Sequence, residues 1–243
     1  VQSSGSHTQA DMAESKASVA VTVQKNGIAV VRMQRGDNRI NNEFVRAFND
    51  CLDQVEKTSS CKGVVTIGEG KFYSNGLDTD WLATIDSDTM ANFYRSFLEL
   101  LLRLLTFPLP TVAAINGHCY AGGALIAFAT DLRVMNSQRG WLCFNEVFIN
   151  RRFSHFNIKY LQAKINPART LHRAIVFSQR FTGPEAEAAG MVDKAVAPPI
   201  VLQESQRLLQ AWIGKEGFPR ESLHNMKLDL CADAIKEMQP SKL

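Results

Sequence analysis

The sequence predicts an α/β fold built on a mainly parallel sheet, and three observations carry that prediction. Short β-branched runs alternate along the chain with amphipathic helical stretches, the pattern of strands wrapped by helices. After the first turn the strands return without hairpin signals, which implies parallel neighbours joined by crossovers. The 243 residues, 45% hydrophobic and 21% charged, have ordinary globular composition and suffice for one sizeable domain with room for a small helical appendage.

Residues 1–18 are small and polar without periodicity, an expected disordered leader; Gly5-Ser6-His7 is of a kind left by cloning, and Met12 offers a start after residues 1–11. Residues 19–24 and 28–33 are apolar runs joined by Lys25-Asn26-Gly27, and an Asn-Gly between such runs is a strong hairpin signal. A helix begins at Asn41 or Asn42, with asparagine as its cap and Phe44, Phe48, Leu52 and Val55 at helical spacing. Residues 63–68 read as a buried strand, followed by a loop over 69–80 that contains KFYSNGLD. A Leu- and Phe-rich helix runs from Ser87 or Asp88 to 106, stopped by Pro108 and Pro110.

The stretch FPLPTVAAINGHCYAGGALIAFATD organises the chain: a buried strand over 111–115, a Gly-rich bend over 117–123, and an apolar helix from about Gly122. A strand at 132–135 follows, then a short one at 141–144 that delivers Glu146. Residues 157–165 and 167–177 are helical, the second with Pro167 at its first position; Pro184 starts another short helix and 191–196 is the last strand. From Ile200 the pattern is helical, so 19–199 form the core and 200–243 a run of C-terminal helices. No internal repeat is visible.

Charge and motif content exclude several classes. A net charge of +3 and a pI near 8.6 are too mild for nucleic acid but suit an anionic substrate. The longest apolar stretch, 98–105, is broken by Glu99 and Arg103, so no membrane span is expected. Five cysteines without a CxxC pair read as reduced thiols. No Walker A, GxGxxG, HExxH or Cys/His cluster occurs, so neither a metal nor a nucleotide cofactor is expected. Ser241-Lys242-Leu243 spells the peroxisomal import tripeptide, which predicts a peroxisomal location and an import receptor as a partner.

Three pieces of the chain could converge on chemistry. Gly122-Gly123 opens a helix, where unpartnered N–H groups and the macrodipole stabilise negative charge. Ser74-Asn75-Gly76-Leu77-Asp78 is a loop after a buried strand, with a glycine that permits an unusual turn. Glu146 is a lone carboxylate in the apolar stretch WLCFNEVFI, a setting that raises proton affinity as a base for carbon acids needs. Two N–H donors from separate loops aimed at one oxygen make an oxyanion hole, and losing one donor typically costs about 3 kcal/mol of transition-state stabilisation. The bland alternatives are that the glycines only allow close packing and that Glu146 caps a turn or pairs with Arg151. Asp78 is read as organising its loop, His118 and Cys119 as packing residues, His155 as a surface residue and Asp131 as orienting a turn at a helix end.

PLPTVAAINGHCYAGGALIAFATDLRVM resembles the signature of the crotonase (enoyl-CoA hydratase/isomerase) superfamily, KFYSNGLD resembles its first oxyanion loop, and FTGPEAEAAGMVDKAV its later segment. The order agrees over roughly 19–215. The resemblance implies a spiral of ββα units with C-terminal trimerising helices, a homotrimer or a pair of trimers, and an acyl-CoA thioester substrate whose CoA is no separate cofactor. It places the oxyanion donors on the N–H groups of Leu77 and Gly122, with Ser74, Asn75, Gly76 and Asp78 as further substrate-loop residues. Hydratases of the family carry a second acid three residues after the oxyanion glycine, which here is Leu125. A single carboxylate at Glu146 implies the Δ3,Δ2-enoyl-CoA isomerase branch, with hydration, other thioester-enolate chemistry, or acyl-CoA binding without turnover as alternatives. Asn150-Arg151-Arg152-Phe153-Ser154-His155 departs from the Gly, Pro and small residues usual after the acid.

Overall fold

The computed structural model describes residues 17–238. The leader up to residue 16 and the C-terminal tripeptide lie outside the described residues.

The predicted hairpin opens the fold. β1 (Val19–Val23) pairs antiparallel with β2 (Ile28–Met33), and Gly27 takes φ +81 in the turn. Ser18 O accepts the Gln34 N–H at 3.0 Å, carrying the ladder one bond further. α1 (Asn42–Lys57) is capped by Asn41, whose side chain accepts from Phe44 N–H at 3.0 Å, and it buries Phe44, Phe48, Leu52 and Val55. β2 then pairs with β3 (Gly63–Gly68), and parallel pairing continues through β5 (Thr111–Ile115), β7 (Leu132–Asn136) and β9 (Lys194–Val196). The resulting six-stranded sheet has the order β1-β2-β3-β5-β7-β9.

A second, three-stranded parallel sheet is built from β4 (Phe72–Ser74), β6 (His118–Tyr120) and β8 (Leu142–Cys143). Each of its strands directly follows a strand of the large sheet and is itself followed by helix. β3-β4 leads into α2 (Thr79–Leu82) and α3 (Ser87–Leu105), and β5-β6 leads into α4 (Gly122–Ala129). β7-β8 leads into a 3-10 turn (Glu146–Ile149) and then α5 (His155–Lys164). The chain is thus a succession of ββα turns, a repeat of structure without a repeat of sequence. Residues 72–74 belong to a strand, not to the loop expected from the sequence, and 118–120 likewise are not part of a bend. Strands of two or three residues are too short to display an alternation. Glycine lets them turn so tightly: a Cβ on Gly68 would lie 2.1 Å from Phe72 O, and one on Gly117 2.0 Å from Lys71 O.

The main core lies between the helices and one side of the sheets, centred on Phe48, Phe93, Phe128 and Phe144. The other face of the large sheet presents Ile28, Val30, Val65, Val112 and Val134, and α8 (Val201–Ile213) covers it with Val201, Leu209 and Ile213. α6 (Ala168–Ile175) starts one residue after Pro167, which caps it, and α7 (Gly183–Ala188) carries a Thr182–Glu185 capping box. α9 (Arg220–Leu230) and α10 (Ala232–Lys236) complete the chain. Asp131 does more than orient a turn. Its Oδ2 accepts from Thr111 N–H at 2.8 Å and from the buried Lys227 ammonium at 2.6 Å, tying β5 to α9. The five cysteines are free, and among the described residues no helix is long and apolar enough to cross a membrane.

Candidate active site

The loop after β4 is shaped by a single parallel bridge. Ile40 N–H donates to Gly76 O and Asp78 N–H to Ile40 O, both at 2.9 Å, so the intervening Leu77 turns its own N–H away from that bridge. Gly76 sits at φ +84, a conformation costly for any side chain. Ser74 Oγ donates to Asn38 O at 2.7 Å and accepts from Gly76 N–H at 3.2 Å. Asp78 Oδ1 caps α2 by accepting from Trp81 N–H at 3.2 Å. These bonds set the direction of the Leu77 amide.

The second loop reaches the same place from β6. Ala121 donates its N–H to Cys143 O at 2.9 Å and takes φ 47, ψ −118, a strained backbone for a residue with a Cβ. Gly122 follows as the first residue of α4, where an N–H has no acceptor within the helix. Among the described residues, neither the Leu77 nor the Gly122 N–H donates a hydrogen bond. The two loops touch: a Cβ on Gly76 would stand 3.2 Å from Gly122 N, and one on Gly122 would stand 3.2 Å from Leu77 Cδ2. Gly123 lets the helix press on β4, since a Cβ there would lie 2.6 Å from Ser74 O.

Glu146 arrives on the 3-10 turn after β8, not on the strand itself. It is 8% exposed, and its Oε2 is buried without a hydrogen-bond partner. Burial penalises the charged carboxylate and pushes its pKa up to about 8. Arg151 contacts Glu146 only through the main chain, donating its N–H to Glu146 O at 2.9 Å, so no cation offsets that penalty.

Leu77, Gly122 and Glu146 line one cavity of about 740 Å³. Asn75 also lines it, whereas Ser74, Gly76 and Asp78 lie behind the wall and hold the loop. Leu125, on α4, fills the position three residues past Gly122 and is 4% exposed. His155 is exposed; Cys119 is buried, and its neighbours His118 and Tyr120 stack on each other. Sequence reasoning missed two polar residues of the cavity, Asn145 and Asn157, whose side-chain oxygens are buried and unpartnered. The available signal was Asn157 among the apolar residues Phe156, Tyr160 and Leu161 of α5.

Consecutive ββα turns, with a buried carboxyl and two unpartnered amides on one cavity, place the chain in the crotonase fold class. The chain belongs to the enoyl-CoA hydratase/isomerase family, whose model matches residues 23–235. It is 31% identical over 183 residues to the peroxisomal enoyl-CoA delta isomerase 2 of Arabidopsis thaliana, covering 72% of this chain and 76% of that one. With the mitochondrial enoyl-CoA delta isomerase 1 of Mus musculus it shares 27% over 212 residues, 86% of this chain and 73% of the other. The crystal structure of human mitochondrial delta3-delta2-enoyl-CoA isomerase superposes with a TM-score of 0.81 at 25% identity, covering 93% of this chain and 92% of that one. A probable enoyl-CoA hydratase from Mycobacterium tuberculosis superposes with 0.82 at 26%, covering 91% and 92%.

Proposed function

We propose that the protein is a Δ3,Δ2-enoyl-CoA isomerase that converts 3-enoyl-CoA to trans-2-enoyl-CoA in the degradation of unsaturated fatty acids. One observation carries the reading: among the described residues the cavity holds a single buried carboxyl, Glu146, and Leu125 stands where a hydratase of this family has its second acid. Adding water is helped by two carboxylates that hold and activate it, whereas moving a double bond needs one base that takes a proton and returns it two carbons on.

In the proposed mechanism the thioester oxygen lies between the Leu77 and Gly122 N–H groups. Their field acidifies C2, because charge developing on the oxygen meets donors fixed in place and dry. The Glu146 carboxylate takes the C2 proton, the enolate delocalises toward C4, and the same carboxyl returns the proton there. A base with its pKa near 8 releases that proton more readily to carbon than one kept protonated far above working pH. Leu125 and Phe97 keep the path apolar. No cofactor beyond the substrate's own CoA is needed for these steps.

The wider reading includes a homotrimer or a pair of trimers and a peroxisomal location through Ser241-Lys242-Leu243. The assembly is supported by large apolar side chains in water on the single chain, Phe148, Phe177, Trp212 and Leu230 among them. The test is incubation with cis- and trans-3-enoyl-CoAs of several chain lengths, followed by product identification. The expected product is trans-2-enoyl-CoA; 3-hydroxyacyl-CoA formed directly, or tight binding with no product at all, would overturn the assignment.

A further inference from the structure

We propose that Asn157 is a positioning residue for the base: its amide oxygen receives the O–H of the Glu146 carboxyl while that group carries the proton from C2 to C4. The inference rests on the isomerase reading for the reaction, and on the burial of the two side chains for the bond.

Among the described residues, three side-chain oxygens on the cavity wall are buried without a partner: Asn145 Oδ1, Glu146 Oε2 and Asn157 Oδ1. A buried acceptor is costly until a donor meets it. The cations that line the cavity do not serve, since Arg39 is held by Asp80 at 2.6 Å and Arg151 and Arg152 are exposed. Nearby, Tyr160 spends its hydroxyl on Leu125 O at 3.1 Å, and Cys143 its thiol on Ser178 O at 3.3 Å. Glu146 itself supplies a donor: burial pushes its pKa up to about 8, so the carboxyl holds its proton at neutral pH.

Asn157 is better placed than Asn145 to take that bond. Asn145 precedes Glu146 directly, and neighbours along a helical turn point apart. Asn157 comes from a separate element, α5, on the same face as Tyr160 three residues on. Burial and then the charge of nearby Glu146 hold the Tyr160 phenol well above its ordinary pKa, so this face of α5 looks onto the carboxyl. Tyr160, and Cys143 with its thiol pushed up to about 11, keep their protons throughout the range in which Glu146 titrates.

A carboxylate and an amide oxygen are both acceptors, so Oε2 stays free while Glu146 waits as a base. When the C2–H bond breaks and an O–H bond forms, the new hydroxyl finds Asn157 Oδ1. The acid form is then stabilised for as long as the enolate lasts, and the O–H breaks again as the C4–H bond forms. The base thus gains strength without an ion pair. The reverse orientation, with the Asn157 N–H groups donating to a carboxylate, would favour the charged form and change the sign of the test.

Infrared titration of the substrate-free protein reads the acid directly. The carboxylic C=O band that fades as pH rises, and is absent in Glu146→Gln, gives the midpoint for Glu146. In N157V the midpoint should fall by about 0.5–1 pH unit, because the acid form loses its acceptor. Valine also dries the cavity, which acts in the opposite direction, so a midpoint that stays or rises in N157V overturns the proposal. N157D keeps an acceptor and adds charge, and should move the midpoint up; no movement there overturns it as well. N145A should leave the midpoint in place, and a fall equal to that in N157V would take the bond away from Asn157. With substrate, the acid limb of kcat/KM in N157V should follow the infrared midpoint, and kcat on the plateau should drop about 3- to 10-fold. If the wild-type protein turns over no 3-enoyl-CoA, the isomerase reading falls, and the infrared midpoints still decide whether Asn157 binds the acid.

Discussion

Replacing Glu146 with Gln tests both the chemistry and the burial of this carboxyl. Burial holds the native pKa at about 8 against an ordinary value of 4.5. Between those values the unfolded chain has released its proton and the folded chain keeps it, so stability falls as pH rises through this window and levels off above it. The window spans about 3.5 pH units at about 1.4 kcal/mol each, so the wild-type protein forgoes up to roughly 5 kcal/mol by pH 9. Gln has nearly the same shape and no charge, so the variant escapes this loss. Urea unfolding of both proteins from pH 4.5 to 9 should give equal midpoints at the acid end and a growing advantage for Glu146→Gln toward alkali. Other titrating groups are common to both and cancel in the difference. The same variant should bind acyl-CoA and lose turnover by several orders of magnitude, while wild-type kcat/KM rises with pH to a plateau above about 8. A stability difference that stays flat across pH would mean that the carboxyl faces water, and retained turnover would remove Glu146 from the mechanism.

Three further substitutions probe the loop after β4, the cavity wall and the anchoring of α9. Gly76→Ala forces a side chain into φ +84 and sets its Cβ 3.0 Å from Tyr120 O and 3.2 Å from Gly122 N. The expected result is a loss of about 1–3 kcal/mol in stability and about 100-fold or more in kcat, read from denaturation and initial rates. Leu125→Glu supplies the acid that a hydratase has there, so 3-hydroxyacyl-CoA should appear from trans-2-enoyl-CoA; its absence in a folded variant would show that a second carboxylate at this position is insufficient. Lys227→Ala strips partners from Phe107 O, Leu109 O and Asp131. It should cost about 1–3 kcal/mol in urea unfolding, because the buried Phe107 and Leu109 carbonyls lose their donor while Asp131, 27% exposed, keeps its bonds to Thr111.

The large sheet was legible because its strands are long enough to show continuous apolar runs, and the Asn-Gly hairpin and the Asn41 cap fell where their chemistry dictates. The small sheet was not, since three-residue strands such as 72–74 carry no period of their own. At the site, the glycines and Glu146 stood out by type and setting, and the structure brings Leu77, Gly122 and Glu146 to one cavity. Asp78 organises its loop as its residue type suggests, whereas Ser74, expected in the substrate loop, spends its hydroxyl on backbone bonds that aim the loop. Asn145 escaped notice because an asparagine beside a strand end is ordinary in sequence, and only burial without a partner marks it.

The strain at Ala121 and the rigid bonds of Ser74 serve a single geometric end under the proposed mechanism. An oxyanion is stabilised by donors that need not reorganise when charge appears. An amide held by a bridge on one side, and another at a helix start behind a strained residue, meet that requirement with main chain alone. The carboxyl obeys the opposite rule. It has to be dry enough to raise its proton affinity and free enough to serve C2 and C4 in turn, and an ion-paired glutamate with both oxygens engaged would satisfy neither condition. The unpartnered Oε2 of Glu146 is therefore what a one-base proton shuttle requires of its base.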